Sequence, residues 1–434
     1  MRAYDIIFRK RWNEVLSPAE IDFIVNGFVK GDIPNYQMSA FLMAIAINGM
    51  STDETLSLTK SFVNSGDIID LSSIPGIKVD KHSSGGVGDT TTLIVAPVVA
   101  AAGVPVAKMS GRGLGHSGGT IDKLESIPGF KTKISKDDFI KQVKDIGIAV
   151  VGKMGNVAPA DKKIYTLRDV TATVDSLPLI VSSIMSKKIA GGSDAIVLDV
   201  KVGSGAFIED EKKVEKLAKS MVDIGKGFGK KMRAVITDMS QPLGNAIGNA
   251  LEVKEAINIL SGNGSSDLRQ LCLNIAANML ILGKKANNLE EGLKLANEIL
   301  ISGKGLEKFK QFISYQGGNI KIIKDKSLLP KAKYEDKLIS RFDGFIEKID
   351  CKKIGIASII LGGGREKDED IIDTSVGIVM KKRLGDEIKK SNEICLIYGN
   401  DLSKIEISKK MLEKAINISE KKPKVPILIK KIID

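Results

Sequence analysis

The sequence predicts an α/β protein in three parts: a small all-helical domain, a large α/β domain with a mixed, largely parallel sheet, and a small C-terminal α+β domain. Three observations predict it. Helix-start signals crowd the first 66 residues, and from about residue 77 short β-branched runs alternate with helical stretches. From about residue 330 short β-like runs recur between glycine and charged turns. At 434 residues the chain is long enough to bury such a core, with two or three domains as the default expectation.

Taken in order, Ser17-Pro18-Ala19-Glu20 combines a capping box with proline at the first helical position, and Ile21, Ile24, Val25 and Phe28 follow at helical spacing. A second helix runs through MSAFLMAIAIN and stops near Gly49. A third opens on the capping box Ser51-Thr52-Asp53-Glu54 and ends near Gly66. The runs IKVD (77–80), VPVAKM (104–109), IAVVG (148–152), AIVLDVKV (195–202) and MRAVITD (232–238) read as strands. TTLIVAPVVAAAG (91–103) and SKDDFIKQVKDIG (135–147) read as helices between them. Helical sequence at about 160–190 interrupts the alternation and predicts a return to the first domain. The boundaries expected are therefore 1–66 with 160–190, 67–159 with 191–329, and 330–434. In the last, IGIASIIL, VGIVMKK and ICLIYG read as β-like.

Composition narrows the function classes. The formal charge of +12 invites a nucleic-acid partner, but most lysines alternate with acids, as in EDEKKVEKLAK (209–219), and aromatic residues are only 5%, too few for a base-stacking surface. Solvated helix faces explain the charge, leaving a mild preference for anionic substrates. No apolar run is long enough to span a membrane, and the amino terminus lacks the h-region of a signal peptide. Cys272, Cys351 and Cys395 are odd in number and widely spaced, which fits a cytoplasmic protein and neither a disulfide framework nor a zinc site.

Two glycine-rich loops carry the chemistry. The first, KHSSGGVGDT (81–90), follows a strand and precedes a helix, so its N–H groups and the helix start suit an anion. Lys81 and the hydroxyls of Ser83 and Thr92 add side-chain contacts. The second, SGRGLGHSGGT (110–120), has the same strand–loop–helix setting, and together the loops suggest one shared phosphate site. The chain's two histidines, His82 and His116, each lie in one of these loops. His82, between Lys81 and Ser83, is the better candidate for acid chemistry. Gly113, Gly115 and Gly118 match GxGxxG with Asp137 and Asp138 about 20 residues on, but the unit begins at residue 104 and five glycines crowd 111–119. No GxxxxGK[ST] run is present.

SGRGLGHSGGTIDKLESIPGF (110–130) resembles the signature of the thymidine and pyrimidine-nucleoside phosphorylases. The likeness extends through VDKHSSGGVGDTTTL, APADKKIYTLRDVTATVDSLPLIVSSIMSKK, AIVLDVKVGSGAF and ITDMSQPLGNAIGNALEVKEA, nearly the whole chain. It implies reversible phosphorolysis of uridine, deoxyuridine and thymidine to free base and (deoxy)ribose 1-phosphate, in a fold shared with phosphoribosyltransferases. It also implies a homodimer formed through the helical domain. By resemblance, Lys81, Ser83, Thr92, Ser110 and Thr120 hold phosphate, while His82, Arg168, Ser183 and Lys187 face the pyrimidine. Ser183 and Lys187 share a face if 180–190 is helical. Arg168 by itself reads as ion-paired or solvated, and Lys187-Lys188 as an exposed helix end. Lys108 resembles the broad-specificity members, whereas thymidine-restricted ones carry methionine there; the alternative reading is that Lys108 merely caps a strand. Gly88, Thr90, Leu243, Ala246 and Glu255 match a monovalent-cation site, with potassium as the ion and no organic cofactor. Departures are Lys153 and Met154, where relatives usually have glutamine and threonine, and Ser84 and Ser117, where threonine is common.

The rival readings are an anthranilate-type phosphoribosyltransferase, for which no acidic pair for magnesium is evident, and an NAD-dependent dehydrogenase built on GxGxxG. A phosphate- or nucleoside-binding regulator is the non-enzymatic alternative.

Overall fold

The computed structural model describes every residue except 114, 366, 368 and 369, so Leu114 of the second glycine loop lies outside the described residues. Four helices open the chain: α1 (Ala3–Arg11), α2 (Pro18–Lys30), α3 (Asn35–Asn48) and α4 (Thr52–Asn64). Both expected capping boxes form, with Ser17 and Glu20 exchanging hydrogen bonds and Ser51 and Glu54 doing the same. Glu54 also accepts from the buried Lys10 ammonium at 2.9 Å, which pins α1 to α4. Losing one partner of so buried a pair costs about 3–5 kcal/mol.

The alternation follows: β1 (Val79–Ser83), α5 (Thr91–Ala101), β2 (Val106–Met109), α6 (Thr120–Glu125), α7 (Lys136–Ile146) and β3 (Ile148–Val151). Then α8 (Pro159–Asp169) and α9 (Leu177–Ala190) pack back onto α2, α3 and α4. Ile164 and Leu179 thereby join the cluster of Ile21, Phe28 and Phe41. The sheet resumes with β4 (Ala195–Val202), α10 (Glu211–Gly227) and β5 (Lys231–Asp238). Strands β1, β4 and β5 are parallel, as are β2 and β3, and the two groups meet where the Val79 N–H donates to Pro105 O at 3.0 Å. All eight residues of β4 are buried, as expected of a central strand covered on both faces.

After β6 (Ala246–Ile247), the helices α11 (Asn249–Leu260), α12 (Ser266–Leu282), α13 (Leu289–Ile301) and α14 (Lys304–Tyr315) complete the main core. Helices α5 and α12 cover one side of the sheet and α10 the other. The C-terminal part holds β7 (Tyr334–Ile339), β8 (Gly344–Ile349), α15 (Cys351–Ile360), β9 (Gly377–Met380), β10 (Glu387–Ile388), β11 (Glu393–Gly399), α16 (Leu402–Ala415) and β12 (Ile416–Ser419), and the chain ends in β13 (Ile429–Ile433). Its sheets run β6-β9-β11-β7 and β10-β8-β12. No helix of the described residues is long and apolar enough to cross a membrane.

Two expectations are corrected here. IGIASIIL is helical, its first seven residues within α15 and Leu361 at the C-cap: Asp350 caps the helix start by accepting from Lys353 N–H at 3.1 Å, and Ile354, Gly355, Ala357 and Ser358 form its buried side. Short apolar runs do not separate helix from strand by pattern alone. The carboxyl terminus also does not stay with its neighbours in sequence. Strand β13 crosses back to pair antiparallel with β5, Ile432 opposite Val235, which makes the large sheet mixed.

Candidate active site

Both glycine loops leave the carboxyl ends of adjacent parallel strands, the first from β1 into α5 and the second from β2 into α6. Open α/β sheets bind ligands at this edge, because helix N-termini and loop N–H groups converge there. The loops meet: a Cβ on Gly85 would lie 3.6 Å from Ser117 Oγ and 2.9 Å from the Phe207 ring. With φ of 95°, Gly85 also occupies backbone space that side chains avoid.

Lys81 is buried, and its ammonium donates to Thr91 Oγ1 at 2.5 Å and faces Asp199 at 3.4 Å and Asp89 at 3.8 Å. The Ser83 hydroxyl donates to Asp89 Oδ2 at 2.5 Å. The other Asp89 oxygen takes the Thr91 hydroxyl at 2.5 Å and its N–H at 3.2 Å, so a carboxylate caps the start of α5. Burial alone would raise the Asp89 carboxyl, but Lys81, Lys201 and Lys123 outweigh it and hold it well below the usual range. Thr92 is buried on the first turn of α5, Ser110 follows β2 with its N–H on Val151 O at 2.9 Å, and Thr120 begins α6. The phosphate-facing candidates thus gather at one sheet edge.

Beneath them lies a second charged group. Asp80 accepts from Lys188 at 2.9 Å and Lys108 at 3.3 Å, and Lys108 also donates to Lys81 O. Burial pushes the Lys108 ammonium down to about 7, a fall that Asp80 opposes and Lys188 and Lys81 reinforce. His82 Nε2 is buried with no hydrogen-bond partner among the described residues. Burial first, then the charges of Lys188 and Lys108, push the His82 imidazolium well below its ordinary value.

The base-facing candidates come from α8 and α9. Lys187 and Ser183 do share a face: the Lys187 ammonium donates to Ser183 Oγ at 3.0 Å and to Asp161 Oδ2 at 2.7 Å. Asp161 Oδ1 is buried and unpartnered among the described residues. Arg168 is only 1% exposed, which sequence alone did not suggest. Its guanidinium donates to the carbonyls of Thr173, Leu179 and Val174 at 3.3, 3.2 and 2.7 Å, holding the turn between α8 and α9. A guanidinium has five N–H donors, so these bonds engage three.

The second histidine faces another way. His116 Nε2 lies 3.0 Å from Gly205 O and its ring tilts against Phe207, 5.3 Å between centroids. Arg112 is held at the loop's outer side by Asp122 at 2.8 Å and Glu125 at 2.6 Å.

The cation-site candidates also converge. A Cβ on Gly88 would meet Leu243 O at 2.5 Å and Ala246 O at 3.0 Å, and the Thr90 N–H donates to Gly88 O at 2.9 Å. The Glu255 carboxylate accepts from the N–H groups of Asn245 at 2.7 Å and Ala246 at 3.0 Å. Burial pushes it up to about 7, with no cationic side chain paired to it among the described residues. Carbonyls beside a buried carboxylate that lacks a cation suit a hard monovalent ion.

Sequence reasoning overlooked Asp80, Asp161, Asp199, Lys123 and Lys201. Lys123 is buried, donates to Asp89 O at 2.5 Å and pairs with Glu252 at 2.7 Å. Lys201 pairs with Asp199 at 2.7 Å. A signal existed for the last pair: opposite charges two apart inside the apolar run AIVLDVKV point to one face of a buried strand, where charges persist only when paired.

Comparison with known proteins follows the same lines. A family model described as glycosyl transferase family, a/b domain, matches residues 76–306. The family's helical bundle domain matches 4–66, and a pyrimidine nucleoside phosphorylase C-terminal domain matches 345–419. A pyrimidine-nucleoside phosphorylase of Geobacillus stearothermophilus is 54% identical over 429 residues, covering 99% of each chain. One of Bacillus subtilis (strain 168) is 55% identical over 400 residues, 92% of each chain. Among solved structures, the anthranilate phosphoribosyltransferase of Thermus thermophilus matches with a TM-score of 0.59, over 72% of this chain and 99% of that one. At 18% identity that likeness speaks to the fold alone.

Proposed function

The chain belongs to the pyrimidine-nucleoside phosphorylase family, and we propose that its two glycine loops hold the phosphate that splits a pyrimidine nucleoside presented by α9. The enzyme is a pentosyltransferase. In phosphorolysis a phosphate oxygen bonds to C1′ as the C1′–N1 bond breaks, and the bonding pair leaves with the base. Phosphate is already an anion, so catalysis needs position and charge rather than an activated side chain. The observation that carries this reading is the meeting of both loops at one sheet edge, with α9, the helix of Ser183 and Lys187, tied to that edge through Lys188.

Lys81, Ser83, Thr92, Ser110 and Thr120 are the phosphate ligands in this reading. Asp89 holds Ser83 and Thr91 in place and yields those donors when phosphate arrives. Lys187, Ser183 and the two further donors of Arg168 meet the pyrimidine carbonyls and stabilise the charge that builds there. His82 contributes a ring nitrogen from the floor, and Lys108 below it sets tolerance for a ribose hydroxyl.

Gly88, Thr90, Leu243, Ala246 and Glu255 would hold a potassium ion, which would supply positive charge to the buried carboxylate beside residues 243–246. Two copies of the chain associate through α1 and α3, which pack together and expose Tyr4, Phe8 and the C-cap Trp12 of α1 beside Tyr36, Met43 and Ile47 of α3. The enzyme works in the cytoplasm, where its three buried thiols stay reduced.

The test is release of uracil and thymine from uridine, deoxyuridine and thymidine with and without inorganic phosphate. Phosphate-dependent release from all three is expected. Phosphate-independent release would make the protein a hydrolase, and no release would remove the reading.

A further inference from the structure

Lys188 reads in the sequence as part of an exposed helix end, yet its side chain is only 11% exposed. It sits in the last turn of α9, one residue beyond Lys187, and its ammonium makes two contacts outside its own helix. One is Asp80 Oδ2 at 2.9 Å, and Asp80 immediately precedes Lys81 and His82 on β1. The other is Met109 O at 3.1 Å, and Met109 ends β2 immediately before Ser110. A single ammonium therefore touches the roots of both glycine loops while riding on the helix that carries Ser183 and Lys187. Asp80 completes the joint. Its other oxygen takes Lys108 at 3.3 Å and the Lys81 N–H at 2.7 Å.

We propose that Lys188 is a positioning residue that fixes the base-facing helix α9 to the stems of both phosphate loops. What the two halves bind rests on the phosphorylase reading; the joint itself rests on the contacts above. A largely buried, doubly bonded ammonium holds geometry well, because moving it leaves Asp80 Oδ2 and the Met109 carbonyl short of their donor.

The joint has a consequence for His82. The charges acting most strongly on that ring are those of Lys188 from α9, Lys108 from β2, and Asp80 and Lys81 from β1, with Lys108 only partly charged near neutrality. With Nε2 buried as well, the ring stays neutral through the neutral range and offers one N–H donor, not an imidazolium proton. The departing base is then stabilised by the fixed charges of Lys187 and Arg168. Removing Lys188 takes away a cation and leaves Asp80 less compensated, and both changes favour protonation of His82.

The experiment compares wild type with Lys188→Met, Lys188→Arg and Asp80→Asn in the full-length protein. The readouts are phosphorolysis kinetics and the NMR titration of its two histidines, assigned with a His116→Gln variant. Lys188→Met is expected to lower kcat/KM about 100-fold, as small misplacements of reacting groups do, raising KM for both phosphate and nucleoside. It also moves the His82 titration up toward the ordinary value and leaves His116 unmoved. Lys188→Arg restores most of the activity and the wild-type titration. Asp80→Asn moves His82 the other way, further down, and serves if Lys188→Met does not fold. Wild-type kinetics in Lys188→Met overturn the proposal, and so does lost activity with an unmoved His82, which would mean that Lys188 does not act at the Asp80–His82 stem of the first loop. The titration needs no turnover. A wild type that splits no nucleoside would sink the phosphorylase reading while the titration still decides the role of Lys188.

Discussion

The Lys187 ammonium lies 2.7 Å from Asp161 Oδ2, a bond between α9 and α8 in which the carboxylate is buried and the lysine half-exposed. That asymmetry directs the lysine. Asp161 anchors one side of the ammonium, Ser183 accepts from it at 3.0 Å, and the remaining donor is free to point outward. Asp161→Asn keeps the shape and removes the charge. It is expected to lower kcat/KM for the nucleoside about 10- to 100-fold while KM for phosphate stays within about twofold. Steady-state kinetics with each substrate varied decides it, and a matching rise in both KM values would count against a role confined to the base.

Lys108 makes stability depend on pH in a defined direction. Its pKa is about 7 when folded, against about 10.4 when unfolded. Between those values the unfolded chain binds more protons, so folding stability rises with pH; below 7 the whole cost of burying the charge is present. Lys108→Met removes that cost. Its stabilising effect should reach about 2 kcal/mol at pH 6, after allowing for the lost bonds to Asp80 and Lys81 O, and fade toward pH 9–10. Denaturant melts at the two pH values test this, and an equal effect at both would contradict it. The same variant should shift turnover from uridine toward thymidine.

Ion dependence should trace to Glu255. At constant ionic strength, replacing tetramethylammonium chloride by potassium chloride is expected to raise the melting temperature, with about 1.4 kcal/mol gained when the ion is at ten times its Kd. Glu255→Gln should abolish the response. A potassium effect of the same size in that variant would place the ion elsewhere.

The aromatic face of α1 and α3 makes a prediction about assembly. Tyr4, Phe8 and Trp12 recur every four residues, and Tyr36, Met43 and Ile47 fall on one side of α3, so the two sets form adjoining stripes. In sedimentation velocity the wild type is expected to sediment as a dimer, and Trp12→Glu combined with Ile47→Glu to sediment as a folded monomer. A wild type already monomeric at micromolar concentration would refute the surface.

Much of the framework is legible residue by residue along the chain. The capping boxes at Ser17 and Ser51, the strand at 195–202 and the two glycine loops after strands are local patterns, set by neighbours three or four positions away, and the structure contains each. IGIASIIL departs from its strand-like reading for the complementary reason. Its apolar run has no decisive period, and the deciding features are the Asp350 cap and the packing of Gly355, where a Cβ would meet the His116 carbonyl.

What local order left open are the relationships between residues far apart in sequence. Nothing near Lys188 announces Asp80, 108 positions away, and nothing near residue 430 announces β5, almost 200 positions earlier. Exposure is likewise a property of the assembled chain, so Arg168 and Lys188 look solvated in sequence and are enclosed in the fold. The physical reason is that helix caps, turns and periodic faces follow from short-range sterics and hydrogen bonds, whereas a buried ion pair exists only once packing has excluded water and brought both partners together. The pattern of residues specified the elements and the loops that suit phosphate; the packed molecule alone settled which charges meet beneath them.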